Sequence, residues 1–151
     1  MTLSPAELAF LAAARTATLA TIDPTGRPRL VPICFVVASS EGAVDGLVLY
    51  SPLDEKPKTV ADPRALARVR DIGARPAVWL LIDRWSEDWA QLAWLRLHGQ
   101  AFLVEPGAVP PGVLAALRAK YPQYLTHALE DRPMLTIGIE ATTSWGLARE
   151  P

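Results

Sequence analysis

Cysteine and histidine are scarce in this chain: Cys34 is the single cysteine, and His98 and His127 are the two histidines. A lone cysteine closes no internal disulfide, so nothing in the sequence calls for an oxidising compartment. Cys34 also sits in an apolar run without a neighbouring base, which reads as inert packing. The histidines are far apart and lack companion cysteines at ligand spacing, so no zinc site is expected. Charge of one sign is lacking too. Fifteen Lys and Arg face sixteen Asp and Glu, a formal net charge of −1, without the basic surplus of a nucleic-acid binder. No apolar run approaches the roughly 20 residues that span a bilayer, and no basic segment leads into an apolar one after Met1. GxGxxG and P-loop signatures are both missing. The expectation is one soluble cytoplasmic domain over residues 1–151, without a membrane or nucleic-acid partner.

What the chain does have is hydrophobic residues in half its positions and fourteen prolines that punctuate them. Ser4, Pro5 and Glu7 form a capping box, and Leu3 with Leu8 supplies a staple, for a first helix fading near Arg15. Thr16 to Ile22 reads as a strand, followed by the turn Asp23-Pro24-Thr25-Gly26. Pro28 to Ala38 reads as one second strand, with Pro32 marking an edge or a bulge. Gly42 and Gly46 bracket a turn before a third strand, Leu47 to Ser51. Asp62-Pro63 opens a short amphipathic helix that ends by Gly73. Ala77 to Asp83 is a buried strand, and Leu92 to Val104 a long one bent at Gly99. Pro111 to Lys120 forms a third helix stopped by Pro122, and Met134 to Thr142 is the last strand. Six strands joined largely by tight turns favour antiparallel pairing and closure, because closure removes exposed edges.

Three groups of residues suggest a site. Lys56-Pro57-Lys58 places two ammonium groups at spacing two, stiffened by proline, as a phosphate would need. Tyr50 and Ser51 just before it offer hydroxyls; the plain alternative is a solvated loop. In Arg27 to Ile33, Pro32 within a strand leaves neighbouring backbone groups for a ligand, or simply blocks edge aggregation. Tryptophan is concentrated at Trp79, Trp85, Trp89, Trp94 and Trp145, suited to core, interface or cofactor stacking. Trp94 and Arg96, two apart on one strand, share a face where an aromatic plane and a guanidinium can flank a planar anion. Asp83, Glu87 and Asp88 cluster around one loop, as a general base or as a solvated face. No catalytic constellation goes beyond these, so an enzyme here would borrow its chemistry from a cofactor.

Taken in order, several segments resemble the pyridoxamine-phosphate-oxidase-like flavin-binding split barrels. They are Ala17 to Asp23, Gly26-Arg27-Pro28, Leu30 to Ile33, Tyr50-Ser51 with Lys56-Pro57-Lys58, Pro76 to Asp83, Asp88-Trp89, Trp94 to Arg96 with Gly99 to Ala101, Tyr121 to Tyr124, and Trp145. The branch most similar is the PPOX class that depends on the deazaflavin coenzyme F420. The resemblance implies a mainly β fold with short helices, a six-stranded antiparallel split β-barrel. It also implies a homodimer with FMN or F420 between protomers, transferring hydride to a small organic substrate. The backbone at Val31, Pro32 and Ile33 would lie against the ring. Lys56 and Lys58 would bind phosphate near Tyr50 and Ser51, and the other protomer would contribute Trp89, Trp94 and Arg96. Many relatives carry asparagine where this chain has Asp71, which when ionised donates no hydrogen bond. Arg27, Arg29, Arg64 and Arg68 suggest a basic exit for an F420 tail. A different class of function is a non-catalytic module binding flavin, haem or another tetrapyrrole, for which His98 and His127 are the candidate axial ligands.

Overall fold

The computed structural model describes residues 3–39, 46–53 and 62–147. Ser4 opens α1 (Pro5–Ala13) as its residue types require. Its hydroxyl accepts the Glu7 N–H at 3.2 Å, and the Glu7 carboxylate accepts the Ser4 N–H at 2.8 Å. The strands are β1 (Ala17–Ile22), β2 (Pro28–Ile33), β3 (Val36–Ser39), β4 (Leu47–Pro52), β5 (Ala77–Arg84), β6 (Ala93–Val104) and β7 (Met134–Trp145). Helix α2 (Ala67–Ala74) follows a 3-10 turn over Pro63–Ala65, and α3 (Pro111–Lys120) precedes β7. All seven strands join one antiparallel sheet in the order β2-β1-β5-β6-β7-β4-β3.

The sheet therefore has seven strands, not six. The run expected as one second strand divides because its two halves pair at opposite ends of the sheet. Pro32 lies against Thr18 of β1, whereas Val36 lies against Tyr50 of β4. Only Cys34 and Phe35 separate them, so the chain turns a corner there and joins the two edge strands covalently. Pro32 sits in an edge strand, where the absence of its N–H does least harm. The last strand runs three residues beyond Thr142, to Trp145, because β6 continues alongside it to Trp94. The expected bend at Gly99 is a register shift between His98 and Gly99, with His98 opposite Ala141 and Gly99 opposite Ile139.

Alternation sorts the side chains into three regions. Leu19, Leu49, Val78, Leu80, Leu97 and Ile137 fill the inner face with Leu11 of α1 and Ile72 of α2. A second cluster lies on the other face of β3, β4 and β7, where Val36, Tyr50 and Met134 meet Leu117, Tyr121 and Tyr124 from α3 and the turn after it. Among the described residues, the outer face of β2, β1, β5 and β6 carries no such cover. Leu30 is 67 % exposed there, and Trp79 and Leu81 are also exposed.

The corner is clasped from α3. The Tyr121 hydroxyl accepts the Phe35 N–H at 3.1 Å and lies 2.9 Å from the Arg15 carbonyl. Lys120 donates Nζ to the Phe35 carbonyl at 3.0 Å and lies 4.0 Å from the Phe35 ring centroid. Burial, reinforced by the nearby Arg15 charge, pulls the Lys120 ammonium down to about 8.

Candidate functional site

Among the described residues, edge strand β2 pairs on one side only, with β1, so half of its backbone N–H and C=O groups point away from the ladder. Val31 and Ile33 turn their side chains inward, where Ile33 is buried, while Pro32 faces outward and is exposed. The Cys34–Phe35 corner then carries the chain to β3, whose Val36 pairs with Tyr50. The fold thus brings Val31, Pro32 and Ile33 to the same end of the molecule as Tyr50 and Ser51. Tyr50 is half-buried in the second apolar cluster, and Ser51 is buried on the inner side. Lys56 and Lys58 lie outside the described residues.

Sequence reasoning missed one cation at this place. Arg132 reaches back from the segment before β7 and donates Nε to the Leu53 carbonyl at 2.5 Å. Its guanidinium stands where the chain leaves β4 toward the two lysines. Nothing in its local sequence marks it, because the contact joins residues 79 apart in the chain. A strand edge open to a planar ring and the Arg132 guanidinium near the end of β4 suit an anionic ligand. Tyr50 and Ser51 point to opposite faces of β4 and do not converge on it.

The tryptophan group is elsewhere on the monomer. Trp94 and Arg96 lie on the outer face of β6, with the Arg96 guanidinium carbon 5.4 Å from the Trp94 ring centroid, as their spacing predicts. Arg96 shares a cross-strand row with Leu81, Thr18 and Pro32, so β1 and β5 separate it from β2. Trp89 begins a 3-10 turn between β5 and β6 and is 72 % exposed. Trp89, Trp94 and Arg96 therefore do not meet Val31 to Ile33 within one chain.

The proposed basic exit loses two of its members to ion pairs. Arg64 pairs with Glu105, which holds that carboxyl below its usual range. Arg29 donates Nε to the Asp71 carboxylate at 2.8 Å, and the Thr21 hydroxyl donates to the same oxygen at 2.8 Å. Asp71, at 3 % exposure, thus ties α2 to β1 and β2. Here it is an acceptor inside the fold, with Arg29 and Thr21 as its donors.

His98 lies on the outer face with its ring centroid 4.5 Å from that of Trp79 and its Nδ1 3.6 Å from a Glu140 oxygen. His127 is half-buried and packs edge-on against Tyr124. Asp88 caps the 3-10 turn through the Ala90 N–H, and Glu87 accepts the Trp85 indole N–H at 3.4 Å. Two of the three clustered carboxylates thus have structural tasks. Among the described residues no helix is long and apolar enough to cross a membrane.

A family model described as pyridoxamine 5'-phosphate oxidase matches residues 3–146. No curated protein matches the chain by sequence. Among solved structures, a conserved hypothetical protein from Mycobacterium tuberculosis superposes with a TM-score of 0.65 at 22 % identity, over 96 % of this chain and 86 % of the other. The heme storage protein HutZ from Vibrio cholerae gives 0.61 at 17 % identity, over 96 % and 94 %. An F420 reductase gives 0.60 at 19 % identity, over 89 % and 94 %. At such identities the likeness is one of fold. The chain belongs to the pyridoxamine 5'-phosphate oxidase family.

Proposed function

We propose that this member of the pyridoxamine 5'-phosphate oxidase family is an oxidoreductase that uses FMN or F420 to transfer hydride to or from a small organic substrate. The observation that carries the reading is the open edge of β2, set by the Cys34–Phe35 corner beside Tyr50 and Ser51. Backbone groups at Val31, Pro32 and Ile33 orient the ring, and Pro32 keeps that edge from accepting another strand. Lys56 and Lys58 hold the phosphate. The cofactor, when bound, supplies the hydride chemistry, and the protein's share is positioning and exclusion of water.

A second copy completes the site in this reading. Trp89, Trp94 and Arg96 stand too far round the sheet to serve their own β2 edge, but a partner can present them. The bare outer face with Leu30, Trp79 and Leu81 is an apolar surface suited to such a homodimer. The fold similarity to an F420 reductase supports the deazaflavin, and fold similarity to HutZ supports a haem-binding alternative. In the alternative, His98 is the candidate axial ligand, because its imidazole lies on the outer face beside Trp79.

Titration of the purified protein with FMN, F420 and haem, read by fluorescence quenching and absorbance, tests these readings. Saturable binding of FMN or F420, weakened at least tenfold by Lys58→Ala, is expected. Tight haem binding lost in His98→Ala, with no flavin or deazaflavin binding, would instead establish the alternative.

A further inference from the structure

Asp83, Trp94 and Trp145 form a single cross-strand row on the outer face, one residue from each of β5, β6 and β7. Neighbouring strands lie about 4.8 Å apart, so the three side chains stand side by side. Trp85 follows Asp83 by two positions and is 69 % exposed at the end of β5. Together with Arg84, Leu92 and Ala93 these residues line a cleft of about 370 Å³. The cleft needs neither a cofactor nor a second copy for its walls.

Three indoles around one carboxylate have a definite chemical preference. The negative faces of the rings attract a cation, tryptophan most strongly, and the attraction grows when the cation is poorly hydrated. Trp94 already carries one such charge, the Arg96 guanidinium, which does not line the cleft. The Asp83 carboxylate has no hydrogen bond or ion pair with any described residue. Arg84 also lines the cleft, but its guanidinium is engaged outside it. Its Nε donates to the Gln91 carbonyl at 2.6 Å, and its guanidinium carbon lies 5.5 Å from the Phe10 ring centroid, in the adjoining cleft beside α1. Trp85 is steered by its indole N–H, which donates to Glu87 and so leaves the ring as an apolar wall.

We propose that this cleft is a binding site for an organic ammonium ion, with Trp85, Trp94 and Trp145 as the aromatic walls and Asp83 as the counter-charge. Methylated ammonium groups suit it better than primary amines, because their hydration is weak and their methyl groups fill the space between rings. The cleft lies round the sheet from its own protomer's β2 edge and shares Trp94 with the proposed cofactor site, so choline binding is read without flavin or F420 present.

The test compares choline with 3,3-dimethylbutan-1-ol, its neutral isostere of the same shape. Each is titrated into the full-length protein, followed by tryptophan fluorescence and calorimetry. Choline is expected to bind saturably and at least tenfold more tightly than the alcohol. Asp83→Asn and Trp145→Leu should each weaken choline at least fivefold, whereas Trp89→Leu, outside the cleft, should not. Circular dichroism on the two cleft variants shows that the sheet is intact. Equal affinity for choline and the alcohol, no binding of choline, or unchanged affinity in both cleft variants would overturn the assignment.

Discussion

Arg29 and Asp71 are joined at 2.8 Å across 42 residues of sequence, and the bond fastens an edge strand to the helix that follows the second hairpin. The carboxylate also receives Thr21, so its loss orphans a buried hydroxyl and a guanidinium together. Asp71→Ala should lower stability by about 2–3 kcal/mol, in the range for hydrogen bonds to charged groups. Asp71→Asn should cost about half as much, since its amide oxygen can still accept both donors. Urea unfolding of the two variants checks the order; equal stability of Asp71→Ala and wild type would show that the pair contributes nothing.

Gly99 sits at the shift in β6 register, where an added Cβ would lie 2.1 Å from the Gly138 carbonyl oxygen. That atom is backbone in the neighbouring strand and cannot swing aside. Gly99→Ala is expected to destabilise by about 1–3 kcal/mol, as overpacking does elsewhere. Gly73→Ala, with nothing within 4 Å of the added carbon, is the matched control and should be tolerated. Thermal melts of both distinguish a steric effect from a general dislike of alanine.

Lys120 titrates near 8 in the fold against an ordinary 10.5. Below about 8 both states hold the proton, and the native state bears the burial of the charge. Between 8 and 10.5 the unfolded chain keeps its proton while the native state has released it, so stability gains with rising pH. The difference in urea midpoint between wild type and Lys120→Met should therefore move in favour of wild type across that window. A difference that stays level from pH 7.5 to 10.5 would contradict the burial of this ammonium.

Glu130 behaves oppositely. Its hydrogen bond from Arg118 lowers the carboxyl from 4.5 to about 2. The same guanidinium donates to the Tyr124 and His127 carbonyls, so it gathers the segment between α3 and β7. The stabilisation is complete above about 4.5 and fades as the pH falls toward 2. Glu130→Gln should be less stable than wild type at pH 6 and should approach it at pH 2.5, measured by chemical denaturation.

Local chemistry made much of the fold legible. The capping box at Ser4 and Glu7, the Asp23 turn and the alternating β6 stood where residue types placed them. Each depends on interactions within a few residues, so each is written locally. The division of the Pro28 to Ala38 run was not legible, because nothing at Cys34 or Phe35 breaks a strand. The break arises from partners, β1 for one half and β4 for the other.

The candidate site divides along the same line. Sequence by itself determined that Trp94 and Arg96 share a face and that Pro32 suits an edge, since both follow from strand periodicity and a missing N–H. Only the tertiary structure decided that Asp71 is a buried acceptor, that Arg132 stands at the end of β4, and that Asp83, Trp94 and Trp145 line one cleft. Those relationships are set by the register of strands distant in the chain, and register is fixed when the inner face of the whole sheet closes on its core.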